Sequence, residues 1–340
     1  MEHRTLGRTG LRVSRLSFGA MTLGQSEGFM KGVTSSEEEA RRVLDRALDA
    51  GIDTFDTANV YSEGQSEELL GRWLEGKRQR VVLATKCRFP TRGTAATALP
   101  HEHGLSRKAI LQACEDSLRR LRTDAIDLYQ VHMQDRSVPV EETLSALDDL
   151  VRQGKVRYVG CSNYAGYRLV ESLWAADRRG LERYASVQLQ WSLAERGAER
   201  ELVPAARAFG LGLMIWSPLA RGFLSGKYRR GEAPPAGTRL AAWQDTFRQF
   251  DNDRCWAALE ALRAVAQRRQ TTPAAAAIAW LLAKPEATTV IVGARTEAQL
   301  ADNLKALEVK LSPEDVAELD RVSAPDWGYP QAFIAVREPW

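Results

Sequence analysis

The chain is short of the residues that build metal clusters, disulfide frameworks and membrane spans. Its four cysteines, Cys87, Cys114, Cys161 and Cys255, lie far apart in 340 residues. There is no CxxC pair and no Cys/His cluster, so no metal site is expected. A chain of this length has no need of disulfide staples, and the four read as reduced, buried thiols. No apolar run reaches the ~18 residues that a membrane span needs. The opening residues, MEHRTLGRTGLRVSRLSFG, lack the apolar core of a signal peptide. A cytoplasmic location is therefore expected. The formal net charge is only +3, and there is no long basic run. Nucleic acid and membrane surfaces are accordingly not expected as partners. A Gly-rich GxGxxG turn is also missing where GAMTLGQ follows the first strand candidate, which argues against an open, doubly wound dinucleotide fold.

What is present is alternation. Short β-branched runs alternate with longer stretches of helical period. RLSFGAM (15–21) reads as a strand, and SSEEEARRVLDRALDAG (35–51) as a helix. Ser36 and Glu39 are spaced for a capping box, and Gly51 supplies the stop. Further strands are expected at 52–58, 81–86, 125–132, 156–163, 185–191, 211–219 and 288–293, with helices between them. Eight strand-then-helix units in this order predict an α/β fold, a closed (β/α)₈ barrel forming one domain over residues 1–340. The Gly-containing turn in RTLGRTGLRV predicts an N-terminal β-hairpin outside the barrel. SPEDVAELDRV predicts an extra C-terminal helix. Two long loops, 87–105 and 228–253, leave the C-terminal ends of strands three and seven. That is the face on which barrel enzymes carry their active sites. Trp73 and Trp174 lie on helices and are expected to pack in the outer layer.

The ionisable residues at strand ends converge. Strand two ends in Asp56, with Tyr61 shortly after; strand three ends in Lys86; strand four ends in His132. Each is flanked by apolar residues, so a charge there needs a partner. Asp56 and Lys86 are an available pair.

These segments resemble the aldo-keto reductase family, and in particular its bacterial and potassium-channel β-subunit-like branch. GIDTFDTANVYSEGQSEELLG (51–71) is similar to the family's most specific signature. ATK (84–86), DLYQVH (127–132), GKVRYVGCSNY (154–164) and IVGARTEAQLADN (291–303) follow in the family's order. The resemblance implies a carbonyl reductase with Asp56, Tyr61, Lys86 and His132 as its catalytic residues. Tyr61 would donate the proton, Lys86 would lower the phenol's pKa, Asp56 would hold Lys86, and His132 would orient the carbonyl. It implies that Ser162, Asn163 and Gln188 hydrogen-bond a nicotinamide carboxamide, and that Trp216 stacks on the ring with Ser217 beside it. Leu219, Gly222 and Lys227 would meet a pyrophosphate. Gly293 and Arg295 open the last helix, a suitable anion site, and Arg295 favours NADP(H) over NAD(H). Gln299 and Asn303, one turn apart, would reach the adenosine. Gly19 and Met21 would line the cofactor site. Tyr61, Trp243 or its neighbours, and the loop after strand three would wall the pocket for a small-molecule carbonyl substrate.

Two other readings stay open at this stage. Lys86 could act as the free amine of a Schiff-base aldolase. Alternatively, the chain could be a non-catalytic nicotinamide-binding subunit, because potassium-channel β-subunits resemble the same barrel. No pattern selects one substrate among small aldehydes, dicarbonyls, keto-sugars and natural-product ketones, nor a reaction direction. The oligomeric state is likewise left unassigned.

Overall fold

Strands that are apolar on one side and mixed on the other close most economically into a barrel wrapped by helices. The computed structural model, which describes residues 1–337 apart from Glu27 and Phe29, shows that arrangement. A hairpin of β1 (His3–Thr5) and β2 (Arg12–Ser14) comes first. There follow β3 (Leu16–Gly19), α1 (Glu37–Asp49), β4 (Thr54–Asp56), α2 (Gln65–Trp73), β5 (Val82–Cys87), α3 (Arg107–Leu121), β6 (Ile126–Val131) and α4 (Val140–Arg152). The second half runs through β7 (Val156–Ser162), α5 (Gly166–Arg179), β8 (Tyr184–Gln190), α6 (Leu202–Phe209) and β9 (Gly212–Trp216). Next come α7 (Arg239–Ala242), α8 (Gln244–Phe250), α9 (Asp253–Arg268), α10 (Pro273–Leu282), β10 (Ala287–Val292), α11 (Glu297–Leu304), α12 (Pro313–Ser323) and α13 (Gln331–Arg337). The eight strands β3 to β10 close into one barrel, all pairs parallel, with β10 beside β3. Among the described residues, no helix is long and apolar enough to cross a membrane.

Outward strand residues such as Phe18, Phe55, Leu83, Tyr129 and Val187 pack with the helices in one large core. Inward residues form layers. The lowest is apolar: Leu6 and Val13 from the hairpin region close against Ala84, Leu128, Met214 and Ile291. Side chains alternate along a strand, so two residues further on each of these strands points inward again. Those next positions are Lys86, Gln130, Trp216 and Gly293. The hairpin thus seals the barrel bottom directly beneath the polar layer.

Local signals hold with adjustments. The Ser36 hydroxyl caps α1 by accepting the Glu39 N–H at 3.3 Å. Glu39 accepts from that same hydroxyl rather than returning to the Ser36 backbone, so the box is half formed. The reciprocal box forms at Ser312 and Asp315 on α12. Strands one and two are shorter than expected, and Met21 lies in a 3-10 turn, Ala20–Thr22. The stretch 228–253, expected to be irregular, carries α7 and α8; Thr238 caps the first of them. Trp73 is buried, but Trp174 is 59% exposed, with the Arg178 guanidinium over its ring. It lies one residue past Leu173, which turns it about 100° away from the buried face of α5.

Leu6→Ala would open a cavity in the barrel floor. Urea unfolding should show a loss of about 2–5 kcal/mol at an unchanged slope. An unchanged midpoint would mean that the hairpin does not seal the barrel.

Candidate active site

Asp56 is the last residue of β4 and Lys86 the penultimate residue of β5, and both point into the barrel. Lys86 is fully buried and Asp56 is 3% exposed. The Lys86 ammonium donates to Asp56 Oδ2 at 2.5 Å, to the Thr57 carbonyl at 2.8 Å and to the Tyr61 hydroxyl at 3.4 Å. All three of its protons are therefore directed. Burial works against the charge, but Asp56 and Tyr61 outweigh it and hold the ammonium above the ordinary lysine value. Asp56 Oδ1 accepts two carboxamide protons, from Gln130 at 3.0 Å and Gln188 at 2.9 Å.

Tyr61 opens a strained turn: Ser62 and Glu63 have φ of 47° and 54°, costly for residues other than glycine. The loop after β3 holds it down. Ser62 donates to the Leu23 carbonyl at 2.9 Å, and Ser26 donates to Glu63 at 3.0 Å. The Ser-Glu pair that follows locks α2 to the barrel. Ser66 donates to the Ala20 carbonyl at 2.8 Å. Glu67, fully buried, accepts from Thr85 at 2.5 Å and Arg120 at 2.7 Å. Burial pushes the Tyr61 phenol above its usual value, Lys86 pulls it back, and Asp56 adds to the rise. The expected lowering by Lys86 is thus present but smaller than the effect of burial.

His132 follows β6. Its ring meets Tyr61 edge-on, with centroids 5.7 Å apart, and Phe89 at 5.1 Å. Its Nδ1 is buried without a hydrogen-bond partner. Burial first, then the charges of Lys86 and Arg88, hold the imidazole well below its usual value. It is neutral at neutral pH.

Asp56, Tyr61 and His132 line one cavity of about 840 Å³. Lys86 lies just behind it. The same cavity is lined by Gly19 and Met21, by Asn163 and Gln188, and by Trp216, Ser217, Leu219, Gly222 and Lys227. It continues past Gly293, Arg295, Gln299 and Asn303. Ser162 is the exception: it is buried, and its hydroxyl accepts from Asn163 Nδ2 at 3.0 Å. Several of these side chains are already engaged. Asn163 also donates to the His132 carbonyl at 2.8 Å. Gln299 accepts the Arg295 N–H at 2.8 Å, and Asn303 donates to the Gly293 carbonyl at 3.2 Å.

Sequence reasoning did not name Arg221 and Arg239, which also line the cavity together with Trp243 and its neighbour Thr246. Trp243 lies between the guanidiniums of Arg221 and Arg239, 5.6 and 5.5 Å from its ring centre. Arg221 donates to Thr246 at 2.8 Å. The signal for Arg221 was its place inside PLARGFLSGKY, a segment read only for its glycine, leucine and lysine. Burial, then Arg295 and Arg239, lower Lys227. Burial, then Arg295 and Arg221, bring Arg239 down to about 10. Among the described residues none of these four cations has an ion pair. Crowded, partly dehydrated cations favour an anion. Trp216 Nε1 is buried without a partner, and a Cβ at Gly293 would touch only the Gly19 carbonyl, at 3.8 Å. A phosphate-bearing dinucleotide fits this lining.

A model of the aldo/keto reductase family matches residues 15–324. The chain belongs to the aldo/keto reductase family. Relatives align along nearly their whole length. An uncharacterized oxidoreductase, YrpG, of Bacillus subtilis (strain 168) is 40% identical over 342 residues, covering 98% of this chain and 99% of its own. The versiconal hemiacetal acetate reductase of Aspergillus parasiticus is 34% identical over 349 residues, covering 96% and 98%. A probable voltage-gated potassium channel subunit beta of Oryza sativa subsp. japonica is 35% identical over 333 residues, covering 95% and 96%.

The neutral His132 has a consequence for stability. Below about pH 6.5 an unfolded histidine takes up a proton that folded His132 refuses. Its contribution is present above that pH and is lost as the pH falls, by up to about 1.4 kcal/mol per pH unit. Urea unfolding at about pH 7.5 and about pH 5.5 should show a smaller acid loss for His132→Asn than for the parent. An equal loss in both would mean that His132 is protonated in the fold.

Proposed function

We propose that this chain, acting as one barrel domain, reduces an aldehyde or ketone to an alcohol with NADP(H) in the cytoplasm, Tyr61 supplying the proton. The observation that carries this reading is the buried Lys86 ammonium, braced by Asp56 and directed at the Tyr61 hydroxyl. When bound, the dinucleotide supplies the hydride. Tyr61 holds its proton at neutral pH because burial disfavours the phenolate. Once that proton passes to a carbonyl oxygen, the Lys86 ammonium stabilises the phenolate left behind. The uncharged His132 can offer the carbonyl oxygen a hydrogen bond without adding a second cation beside Lys86. The layer of Asp56, Gln130 and Gln188 below, on its apolar floor, keeps bulk water from the ammonium.

The preference for NADP(H) over NAD(H) rests on Arg295 and on the unpaired cations around it. Ser217, Leu219 and Gly222 form the loop beside Lys227 on which a pyrophosphate would lie, and Asn163 and Gln188 flank the position of a nicotinamide.

The aldolase reading needs a free amine at Lys86. The structure places that nitrogen at full burial with its charge reinforced, which works against a nucleophilic amine. A nicotinamide-binding subunit without appreciable turnover is the contrasting reading, because a relative named as a probable voltage-gated potassium channel subunit beta matches the chain. It differs in its outcome: slow turnover on every carbonyl, with tight retention of the dinucleotide.

Tyr61→Phe should lower carbonyl-dependent NADPH oxidation by roughly 10²–10⁴-fold, with NADPH binding kept. Near-normal turnover of the variant would remove Tyr61 from the mechanism. Arg295→Leu should weaken NADPH binding roughly ten- to a hundredfold, the worth of a charge-assisted hydrogen bond, and leave NADH binding nearly unchanged. Equal weakening of both would assign Arg295 to a part that the two dinucleotides share.

A further inference from the structure

Gln130 is fully buried on β6, does not line the cavity and so far figures only in the layer that keeps water from the ammonium. Its neighbours in the barrel are nonetheless specific. It sits opposite Lys86 on β5 and opposite Gly160 on β7. Gly160 makes its room: a Cβ there would lie 3.3 Å from Gln130 Cγ and 2.6 Å from the Ser186 hydroxyl. Into this room the Gln130 side chain extends, its Nε2 donating to Asp56 Oδ1 at 3.0 Å. Its Oε1 accepts Gln188 Nε2 at 3.2 Å, and Gln188 Nε2 also donates to the same Asp56 oxygen at 2.9 Å. One carboxylate oxygen is thus held by two carboxamides, while the other is left for Lys86.

We propose that Gln130 is a positioning residue of the proton-delivery chain: it fixes the Asp56 carboxylate against Lys86 and, through Lys86, sets how readily Tyr61 gives up its proton. The inference deepens the reductase reading and rests on it for the role of Tyr61. Its physics is that of a shared charge. Amide donors on Oδ1 stabilise the carboxylate and draw electron density away from Oδ2. Without them the carboxylate becomes more basic, binds the Lys86 ammonium more closely and cancels more of its charge. The ammonium then pulls less on the phenol, and Tyr61 ionises at higher pH. Gln130 also braces Gln188, the one member of the carboxamide pair that reaches the cavity. The groups facing Tyr61 are Asp56 from β4, Lys86 from β5 and His132 beyond β6, with Arg88 beyond β5 acting on His132. A Gln130 variant replaces none of these residues, so any shift in Tyr61 reaches it through Asp56 and Lys86.

The test reads Tyr61 directly. Tyrosinate absorbance is titrated in the parent and in Gln130→Met, each with its Tyr61→Phe counterpart as reference, so that the difference isolates Tyr61. NADPH binding is followed by quenching of tryptophan fluorescence. The expected result is a Tyr61 midpoint about one pH unit higher in Gln130→Met, the size expected for a hydrogen bond to a buried charge, with NADPH binding unchanged. The alkaline limb of the pH profile for reduction should move by the same amount. Gln130→Asn, which keeps the amide but withdraws it from Asp56, should give the same upward shift and serves if the Met variant does not fold. An unchanged midpoint overturns the proposal, as does a shift accompanied by loss of NADPH binding, which would mark general disruption of the cavity. Turnover of the parent protein on carbonyls judges the reductase reading separately, because the absorbance titration needs no turnover.

Discussion

The buried pair of Lys86 and Asp56 is the interaction on which the rest of the site depends. Removing two charges from water costs several kcal/mol for each ion, and the cost is recovered only with close geometry and satisfied hydrogen bonds. Every feature around the pair meets that condition. The ammonium directs its protons to Asp56, Thr57 and Tyr61. The carboxylate takes its remaining donors from two glutamines that reach across the barrel from β6 and β8. The apolar layer of Leu6, Val13 and the inward residues beneath it closes the bottom of the barrel. Tyr61 owes its place to the same demand, since its hydroxyl is the third acceptor that Lys86 faces.

Charge is balanced at one end of the cavity and unbalanced at the other. Around Lys86 the count is even: one ammonium, one carboxylate, a neutral imidazole and a neutral phenol. Around Lys227, Arg239 and Arg295 it is not: after burial, Arg295 lowers both Lys227 and Arg239, and Arg239 lowers Lys227 further. A protein holds such a cluster without counter-ions when an anionic ligand completes it. On the proposed reading, the balanced end serves transfer of a proton and the unbalanced end serves binding. These are separate tasks, and this is why loss of the Tyr61 hydroxyl and loss of the Arg295 guanidinium are expected to act on different quantities.

Much of this was legible in the sequence, and the limits have physical reasons. Asp56, Lys86 and His132 stand where strands end, and strand ends are marked by the switch from β-branched runs to polar residues. Gln130 stands two residues before His132 within a strand. An isolated inward glutamine there carries no signal unless the facing residues are known, and those come from β4 and β8, far away in sequence. Gly160 is silent in the same way, because its missing side chain matters only beside Gln130. The resemblance implied Ser162 as a carboxamide partner, but its side chain is buried beside the cavity and its hydroxyl accepts from Asn163. The helices α7 and α8 were hidden because each is shorter than the window over which helical period can be recognised. Trp174 was misplaced because one step along a helix separates a buried position from an exposed one.

The walls of the cavity divide along the same line. Asp56, Lys86, His132 and Tyr61 stand on strand ends or on a turn locked to them, and the strained backbone at Ser62 and Glu63 is tolerated because the loop after β3 bonds to both. Other residues that line the cavity come from elsewhere: Phe89 and Thr94 lie in the loop after β5, and Trp243 and Thr246 in the segment after β9. Those segments are not bound by the register of the barrel. A barrel strand cannot move its inward residue without moving its outward neighbours out of the core, so the chemistry is tied to the fold. A loop residue carries no such penalty, so the shape of the pocket can change while the proton chain stays in place. That is the physical reason why strand ends carry a readable signal for the proposed reaction class while the choice of carbonyl does not: on that reading the choice falls to Trp243, with two arginines over its ring, and to its loop neighbours, whose positions depend on contacts that no local pattern encodes.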